Sequence, residues 1–217
     1  MNELRGQVIH ADDHLLVLDK PAGLLCVPGR GADKQDCLAA RVQREFADAL
    51  VVHRLDMATS GLWLMARGPV AQRILGDAFA RREVRKRYLA VVAGLPVSPS
   101  APGDWATIDL PIAADWPNRP RRIIEPERGK PSQTRWRVSA RDPKEDVTCV
   151  ELEPVTGRSH QLRVHLQAIG HPILGDTLYA PAELQARAPR LLLHATELRF
   201  AHTATGQAMV FTSPAPF

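Results

Sequence analysis

Residues 51–67 read VVHRLDMATSGLWLMAR and set the charged tetrad HRLD between two apolar runs. Charged side chains beside a hydrophobic core cost free energy unless they are paired or put to use. The run LWLMAR after Gly61 predicts a strand, so the tetrad lies next to the core. Asp56 is then either a turn aspartate that accepts hydrogen bonds from nearby backbone amides or a functional carboxylate.

A second charged island is TGRSHQLRVH, where Arg158 and Arg163 stand beside the apolar residues Leu162 and Val164. A guanidinium beside a buried helical face suits a buried carboxylate, because it holds the carboxylate ionised through bidentate hydrogen bonds. A purely structural salt bridge would give the same pattern. Both interpretations therefore remain open for this island and for Asp56.

The composition is that of an ordinary globular protein. The 217 residues are 45% hydrophobic and 24% charged, which is enough to bury a sizeable core, and we expect one domain over residues 1–217. The formal charge of +4 is compatible with a polyanionic partner without requiring one. Three widely separated cysteines favour a reducing cytoplasm over a disulfide framework or a cysteine zinc site. No apolar run approaches the roughly 18 residues of a membrane helix.

Three segments have helical periodicity. The first covers residues 38–50, with an apolar residue at every fourth position and Asp36 as the expected N-cap. The second covers residues 70–79. The third, HQLRVHLQAI, is expected to begin after Ser159 as its N-cap and to end at Gly170.

Strand-like runs dominate the rest of the chain, apart from irregular, proline-rich and arginine-rich residues 96–131. Because strands and a few helices follow one another without regular βαβ alternation, we predict an α+β domain built on a mainly antiparallel sheet. The predicted strands cover residues 14–20, 62–67, 88–95, 134–141, 147–155, 191–200 and 208–213.

The sequence does not match several well-known motifs for metal binding, hydrolysis and phosphate binding. His160 and His165 lie five residues apart, on different sides of a helix and without an HExxH motif, so we expect capping or surface roles rather than metal ligation. Ser60 has no GxSxG elbow around it. The GRGADK stretch from Gly29 is not a phosphate-binding loop. Hydrolase and nucleotide-cofactor functions are therefore not favoured.

Two clusters combine cations with aromatic rings. The run RREVRKRY, residues 81–88, carries Arg81, Arg82, Arg85, Lys86 and Arg87 before Tyr88, and DWPNRPRR, residues 115–122, joins Trp116 to three arginines. A basic run is typical of a solvated helix end, where cations also interact favourably with the helix dipole. Cations interleaved with aromatics also suit a surface that neutralises phosphates and stacks bases. The presence of two such clusters favours nucleic-acid binding.

At residues 53–62, HRLDMATSGL closely resembles the catalytic signature of the RluA family of RNA pseudouridine synthases. Three more stretches resemble the other motifs of that family and follow in the expected order along the chain. They are LDKPAGLLCVPG at 18–29, TGRSHQLRVHLQAIGHPILGDTLY at 156–179 and LLLHATELRF at 191–200. The four stretches are distributed from residue 18 to residue 200 and so span most of the chain.

The resemblance implies a catalytic domain with a long, bent, mainly antiparallel mixed sheet, flanking helices and a central RNA cleft. It implies that Asp56 is the essential carboxylate, that Arg163 pairs with it and that Tyr88 stacks on the target uracil. Arg54 resembles the family residue that enters the RNA stack as the target base leaves. The expected substrate-binding set is completed by His53, Arg158, Leu192 and Leu193, of which the two leucines line an apolar pocket.

The resemblance also implies partners. No metal or nucleotide cofactor is expected, and the S4-type N-terminal domain of many family members is expected to be absent. The short form resembles members that act on the anticodon stem-loop of certain tRNAs and on a hairpin of 23S rRNA, so both RNAs are expected partners of a monomer. The alternatives are a synthase for a different RNA position and a non-catalytic RNA-binding or ribosome-assembly protein.

Overall fold

A computed structural model of the chain describes Leu4, residues 7–97 and residues 104–217. The chain divides into two compact units: the first runs up to Lys86 and includes His194–Pro216, and the second comprises Arg87–Leu193 with Phe217. The prediction of a single catalytic domain stays a prediction. Part of the irregular region predicted at residues 96–131 lies outside the described residues, at 98–103.

The described residues form twelve strands and four α-helices. The strands are β1 Val8–Ala11, β2 Leu15–Lys20, β3 Ala49–Val51, β4 Ser60–Arg67, β5 Arg85–Ala93, β6 Ala106–Asp109, β7 Ile112–Ala114, β8 Arg122–Ile124, β9 Gln133–Asp142, β10 Val147–Pro154, β11 Leu193–Ala201 and β12 Ala208–Thr212. The helices are α1 Leu38–Glu45, α2 Gly68–Ala80, α3 Gln161–Ala168 and α4 Ala182–Ala186.

The first unit contains a mixed sheet with β4 at its centre. The strand order is β1-β2-β4-β11-β12, and β3 also pairs with β4. All of these pairs are antiparallel except β4 with β11. Seven of the eight residues of β4 are buried, as the continuous apolar run LWLMA predicts. The loop that carries Asp56 therefore leads directly into the core of this unit.

The second unit is antiparallel. Its strands pair in the order β5-β10-β9-β6, and β7 and β8 form a separate hairpin. Residues of β10 alternate between buried and half-buried, which is the period-two pattern expected of a strand with one face on a core. The α+β class and the mainly antiparallel pairing are confirmed.

Helix α1 is shorter than predicted and is capped by a different residue. Cys37 is the N-cap, and its Sγ accepts a hydrogen bond from the Ala40 amide at 3.4 Å. Asp36 instead forms a bidentate ion pair with Arg41. The helix ends at Glu45, and Leu50 belongs to β3, so the four-residue spacing extended beyond the helix by coincidence.

Helix α3 begins at Gln161, and the prediction of Ser159 as N-cap is wrong. The N-cap position is His160, which has a left-handed φ of 58° and no side-chain capping bond. The buried amide of Gln161 holds the preceding turn, since its Oε1 accepts hydrogen bonds from the Arg158 amide and the Thr156 hydroxyl. Gly170, with φ of 85°, follows the end of the helix as predicted.

His165 is not a surface or capping residue, contrary to prediction. It is fully buried, its Nε2 donates to the Leu110 carbonyl oxygen, and its Nδ1 accepts from the Thr134 hydroxyl. Burial lowers the pKa of His165, so the neutral ring is favoured. The side chain therefore ties α3 to β9.

Candidate active site

The loop around Asp56 is fixed through its backbone. The ammonium of Lys20 is fully buried and donates to the Met57 carbonyl oxygen at 3.0 Å and to the carbonyl oxygens of Pro21 and Leu24. The Gly23 amide donates to the same Met57 oxygen at 2.9 Å. A buried cation surrounded by carbonyl oxygens needs those contacts, so the loop and the segment after β2 hold one another in place.

Further bonds surround the aspartate itself. The Leu55 amide donates to the Sγ of Cys26 at 3.2 Å, and the Thr59 amide donates to the Asp56 carbonyl oxygen at 3.1 Å. The Asp56 side chain is half-buried, whereas neighbouring Arg54 is exposed. Burial raises the pKa of the Cys26 thiol. The hydrogen bond from the Leu55 amide and the charges of Lys20 and Arg54 oppose this rise, and the charge of Asp56 adds to it. The carboxylate thus lies on a rigid loop near groups of both signs.

His53 supports this loop as a neutral ring. Its Nε2 accepts a hydrogen bond from the Leu64 amide at 3.0 Å, and its carbonyl oxygen accepts one from the indole of Trp63 at 2.9 Å. The ring stacks on Phe79 of α2 with centroids 4.6 Å apart. Burial, and to a smaller extent the charge of Lys86, lowers the pKa of His53 to about 3. Contact of His53 with a substrate stays a prediction.

A buried hydrogen-bond chain starts at Ser60, four residues after Asp56. Ser213 donates to Asp19 at 2.8 Å, so its oxygen accepts from the Nε2 of His194 at 3.0 Å. The Nδ1 of His194 then accepts from the Ser60 hydroxyl at 2.8 Å. The chain ties the start of β4 to β11, β2 and the C-terminal segment. The sequence signal was a lone histidine inside the apolar run LLLHA.

Arg163 lies in the first turn of α3 and is almost completely buried. Its Nε and Nη2 donate to the two carboxylate oxygens of Asp176 at 2.8 and 2.6 Å. The guanidinium carbon also lies 5.1 Å from the centroid of the Tyr179 ring. Asp176 accepts further bonds from the amides of Leu178 and Tyr179. The direction of the Arg163 side chain is therefore fixed by a partner that sequence analysis did not identify.

Tyr88 lies on β5, where it is opposite Leu152 of β10, and its side chain is buried at 8% exposure. Leu193 is also buried, and the backbone of Leu192 bonds to Val91 and Leu174. The guanidinium of Arg158 is near the Pro131 carbonyl oxygen, but both distances are 3.4 Å, at the long end of the hydrogen-bond range.

The predicted site residues are divided between the two units. His53, Arg54 and Asp56 lie together on one loop of the first unit. The second unit contains the others: Tyr88, Arg158, Arg163, Leu192 and Leu193.

The basic run at residues 81–87 is not uniform. Arg81 pairs with Glu83, and Arg87 pairs with Glu153. Lys86 lies 5.7 Å from the centroid of the Phe79 ring, and burial lowers its pKa. Arg82 and Arg85 are exposed. The run therefore ends in strand β5 rather than forming one solvated helix end.

Two other findings concern the described part of the chain. Within it, no group of histidine, cysteine and carboxylate side chains is arranged to hold a metal ion. None of its helices has the length and apolar character that crossing a membrane requires.

Comparisons with known proteins identify relatives over nearly the whole chain. Residues 14–168 match the family model described as RNA pseudouridylate synthase. The dual-specificity RNA pseudouridine synthase RluA of Escherichia coli strain K12 is 48% identical over 210 residues, which cover 97% of this chain and 93% of that protein. The protein of the same name from Yersinia pestis is 47% identical and is covered to 99%.

Solved structures agree with this result. Human RNA pseudouridylate synthase domain containing 1 is 30% identical with a TM-score of 0.75, over 97% of this chain and 84% of that one. Human RNA pseudouridylate synthase domain containing 4 has a TM-score of 0.77 at 24% identity, over 98% and 90% of the two chains, and so supports the fold alone.

Proposed function

The chain belongs to the RNA pseudouridylate synthase family, whose members are isomerases, and we propose that the reaction of this chain depends on Asp56. The observation that carries this proposal is the loop HRLDMATSGL, whose backbone is held by Lys20, Gly23 and Cys26. A loop held through its backbone in this way keeps the Asp56 carboxylate in one place. Such preorganisation is what a reacting group requires.

Making pseudouridine moves a uracil from one attachment to another. The bond from C1′ of the ribose to N1 breaks, a bond from C1′ to C5 forms, N1 gains a proton and C5 loses one. The base must stay bound throughout, so the site has to hold a detached intermediate. Asp56 would act as an ionised carboxylate, by attack on C1′, by addition to the uracil ring or by removal of a ribose proton.

Arg163 is proposed to keep Asp56 ionised. A carboxylate in a dry pocket tends to take up a proton, and a nearby guanidinium opposes this. The pair with Asp176 engages Nε and Nη2 of Arg163, so Nη1 is the nitrogen assigned to Asp56 in this proposal. Asp176 would then act as a positioning residue, because it sets the direction of the guanidinium.

The target uridine is proposed to leave the RNA stack before it reacts. Flipping a nucleotide costs a few kcal/mol of unstacking. Exposed Arg54 would fill the vacated space, and the ring of Tyr88 would stack on the flipped base. Leu192, Leu193 and Arg158 would complete the surface around the substrate, with His53 supporting the loop.

For the substrate we propose both an anticodon stem-loop of tRNA and a hairpin of 23S rRNA, acted on by a monomer in the cytoplasm. The support is that the relatives from Escherichia coli and Yersinia pestis are named dual-specificity RNA pseudouridine synthases. RNA of this kind is recognised mainly through loops whose bases are accessible.

The test is tritium release from RNA labelled at C5 of uracil, with the two RNAs assayed in parallel. Wild type is expected to release tritium, and Asp56→Ala is expected to bind RNA without release. Asp13→Ala is a matched control, because the Asp13 side chain is 98% exposed, and it is expected to behave as wild type. Release by Asp56→Ala at the wild-type rate would remove Asp56 from its role. Binding without release by wild type would favour a non-catalytic RNA-binding protein or another target RNA.

A further inference from the structure

Strands β7 and β8 form a hairpin that we call the arginine hairpin, Ile112–Ile124. Its tip is held by internal bonds: the Asp115 amide donates to the Arg121 carbonyl oxygen at 3.1 Å, and the Arg121 amide donates to the Asn118 carbonyl oxygen at 3.0 Å. The Asn118 side chain also donates to both carboxylate oxygens of Asp115. The tip is thus held in a defined shape by its own hydrogen bonds.

Trp116 stands at this tip with 69% of its surface exposed. The guanidinium carbon of Arg119 lies only 3.4 Å from the centroid of its ring, so one face of the indole is covered by a cation. With one face covered and most of the residue exposed, the other face is open to solvent. An aromatic ring backed by arginine suits a nucleobase, because every base has a π-face.

Within the described part of the chain, the arginines of the arginine hairpin lack carboxylate partners, unlike the arginines that surround Trp105. Among the described residues, no carboxylate lies within ion-pair distance of Arg119, Arg121 or Arg122. The guanidinium groups of Arg119 and Arg121 instead lie near the aromatic rings of Trp116 and Tyr179. Three arginines also surround half-buried Trp105, but two glutamates neutralise them. In that cluster Arg87 and Arg135 pair with Glu153, and Arg137 pairs with Glu151.

The base of the hairpin is fixed beside Arg163. The Arg122 amide donates to the Tyr179 hydroxyl at 2.8 Å, and the Arg121 guanidinium lies 5.6 Å from the centroid of the same ring. The guanidinium carbon of Arg163 lies 5.1 Å from the same centroid. The hairpin and α3 also share an apolar cluster that consists of Ile112, Ile124, Val164, Leu178 and Tyr179. A ligand held at the tip is therefore held at a fixed place relative to Arg163.

We propose that the arginine hairpin binds an unpaired nucleotide of the substrate RNA, with its base stacked on the open face of Trp116. Arg119 backs the ring, and Arg121 and Arg122 neutralise the phosphates on either side. The inference rests on the proposed function, since it takes the bound RNA to be the substrate. It goes beyond that function because it assigns recognition of single-stranded RNA to a residue outside the catalytic motif.

The test measures RNA binding in an Asp56→Ala background, so that no turnover accompanies it. The probes are a fluorescently labelled anticodon stem-loop and an uninterrupted duplex of the same stem, followed by anisotropy. Trp116→Leu is expected to weaken stem-loop binding by roughly tenfold or more, because stacking is lost. Trp116→Phe, which keeps an aromatic face, is expected to lose much less. Neither variant is expected to change binding of the duplex.

Two results would overturn the proposal: Trp116→Leu binding the stem-loop as tightly as its parent, or losing affinity equally for stem-loop and duplex. The second result would mean that the indole contacts the stem rather than an unpaired base. Circular dichroism of each variant checks the fold, and exposed Trp116 can be replaced without opening a core cavity. Tritium release by wild type is a separate readout, so failure of the proposed function and failure of the hairpin assignment are distinguishable.

Discussion

At the scale of the single residue, His53 is a titratable ring kept neutral beside the candidate catalytic carboxylate. Burial lowers its pKa from 6.5 to about 3. Between these values the unfolded chain binds the proton and the folded chain does not. The contribution of His53 to the free energy of unfolding is therefore complete above pH 6.5. As the pH falls below 6.5, the free energy of unfolding decreases by up to about 1.4 kcal/mol per pH unit, because the unfolded chain takes up a proton that the folded chain does not.

We predict that His53→Gln makes the free energy of unfolding less dependent on pH between about 4 and 6.5. The Gln amide oxygen can take the place of Nε2 as acceptor for the Leu64 amide. Urea unfolding of both proteins at several pH values measures the effect. The pKa of His165 is also lowered, but His165 is present in both wild type and the variant, so its effect is the same in the two proteins. The pKa of Asp12 is lowered to about 2, so this carboxyl titrates below the pH range of the measurement. Parallel pH curves would contradict the prediction.

Asp176 and Arg163 form an ion pair in which each side chain is almost completely buried, at 1% and 4% exposure. Removal of one partner leaves the other charge buried, which costs roughly 3–5 kcal/mol. Asp176→Asn is therefore expected to lower the free energy of unfolding by about that amount, and to reduce turnover through misdirection of Arg163. Denaturant unfolding and tritium release measure the two effects.

The control is Glu83→Gln, which removes the exposed partner of Arg81. Exposed pairs contribute little because solvent screens them, so this variant is expected to match wild type. If Asp176→Asn unfolds at the same denaturant midpoint as wild type, the ion pair of Asp176 with Arg163 does not stabilise the protein, which would contradict the prediction.

At the scale of the element, the long strands were predictable, whereas most helix ends and the short strands were not; the strands missed are β1, β3, β6, β7 and β8. The runs at β2 and β4 are continuous and apolar, and β10 alternates, so local pattern alone locates them. The start of α3 depends on contacts that Gln161 makes with Thr156, Gln133 and Thr134, and the cap of α1 is a cysteine. Such contacts follow from packing, which periodicity does not encode.

The candidate site shows the same division. Asp56 and Arg163 were identified from charged islands beside apolar runs and from a family motif. The partner Asp176 and the supporting Lys20 lie within two of the family-like stretches, residues 156–179 and 18–29, but the resemblance assigned no role to either residue. Their roles depend on which backbone oxygens and side chains the fold brings near them, so only the structure identifies them.

The parallel pair of β4 and β11 depends on Gly61. Its φ is 104°, and a Cβ atom there would lie 2.4 Å from the Ala195 carbonyl oxygen. Gly61→Ala is expected to lower the free energy of unfolding by more than about 2 kcal/mol, because both the backbone and its neighbour oppose the methyl group. Thermal unfolding followed by circular dichroism measures the loss.

Gly76 provides the matched comparison. It lies inside α2, and a Cβ there would have no atom within 4 Å. Gly76→Ala is expected to stabilise the protein by about 0.5–1 kcal/mol, since alanine restricts the unfolded chain. A similar effect of both substitutions would mean that the close approach of β4 to β11 is not the cause.

At the scale of the whole molecule, the net charge is +4, and the described arginines that contribute to it fall into two groups, those paired with carboxylates and those that are not. Many are neutralised by carboxylates, among them Arg67 by Asp48 and Arg199 by Glu197. Others, including Arg82 and Arg85, have no carboxylate within ion-pair distance among the described residues. Only cations without a protein counterion gain fully from an RNA phosphate, so the paired and unpaired sets should differ in their effect on binding.

We predict that the double variant Arg82→Gln, Arg85→Gln binds RNA with a shallower dependence on salt. If each arginine neutralises one phosphate, the slope of log affinity against log salt falls by about 1.5 in total. The control is Arg81→Gln with Glu83→Gln, which removes an ion pair from the same segment and leaves the net charge unchanged. Anisotropy titrations of a labelled stem-loop at several salt concentrations give both slopes. If the two double variants have the same slope as wild type, Arg82 and Arg85 face solvent in the complex, and the counterion-free cations of the arginine hairpin become the stronger candidates for phosphate contact.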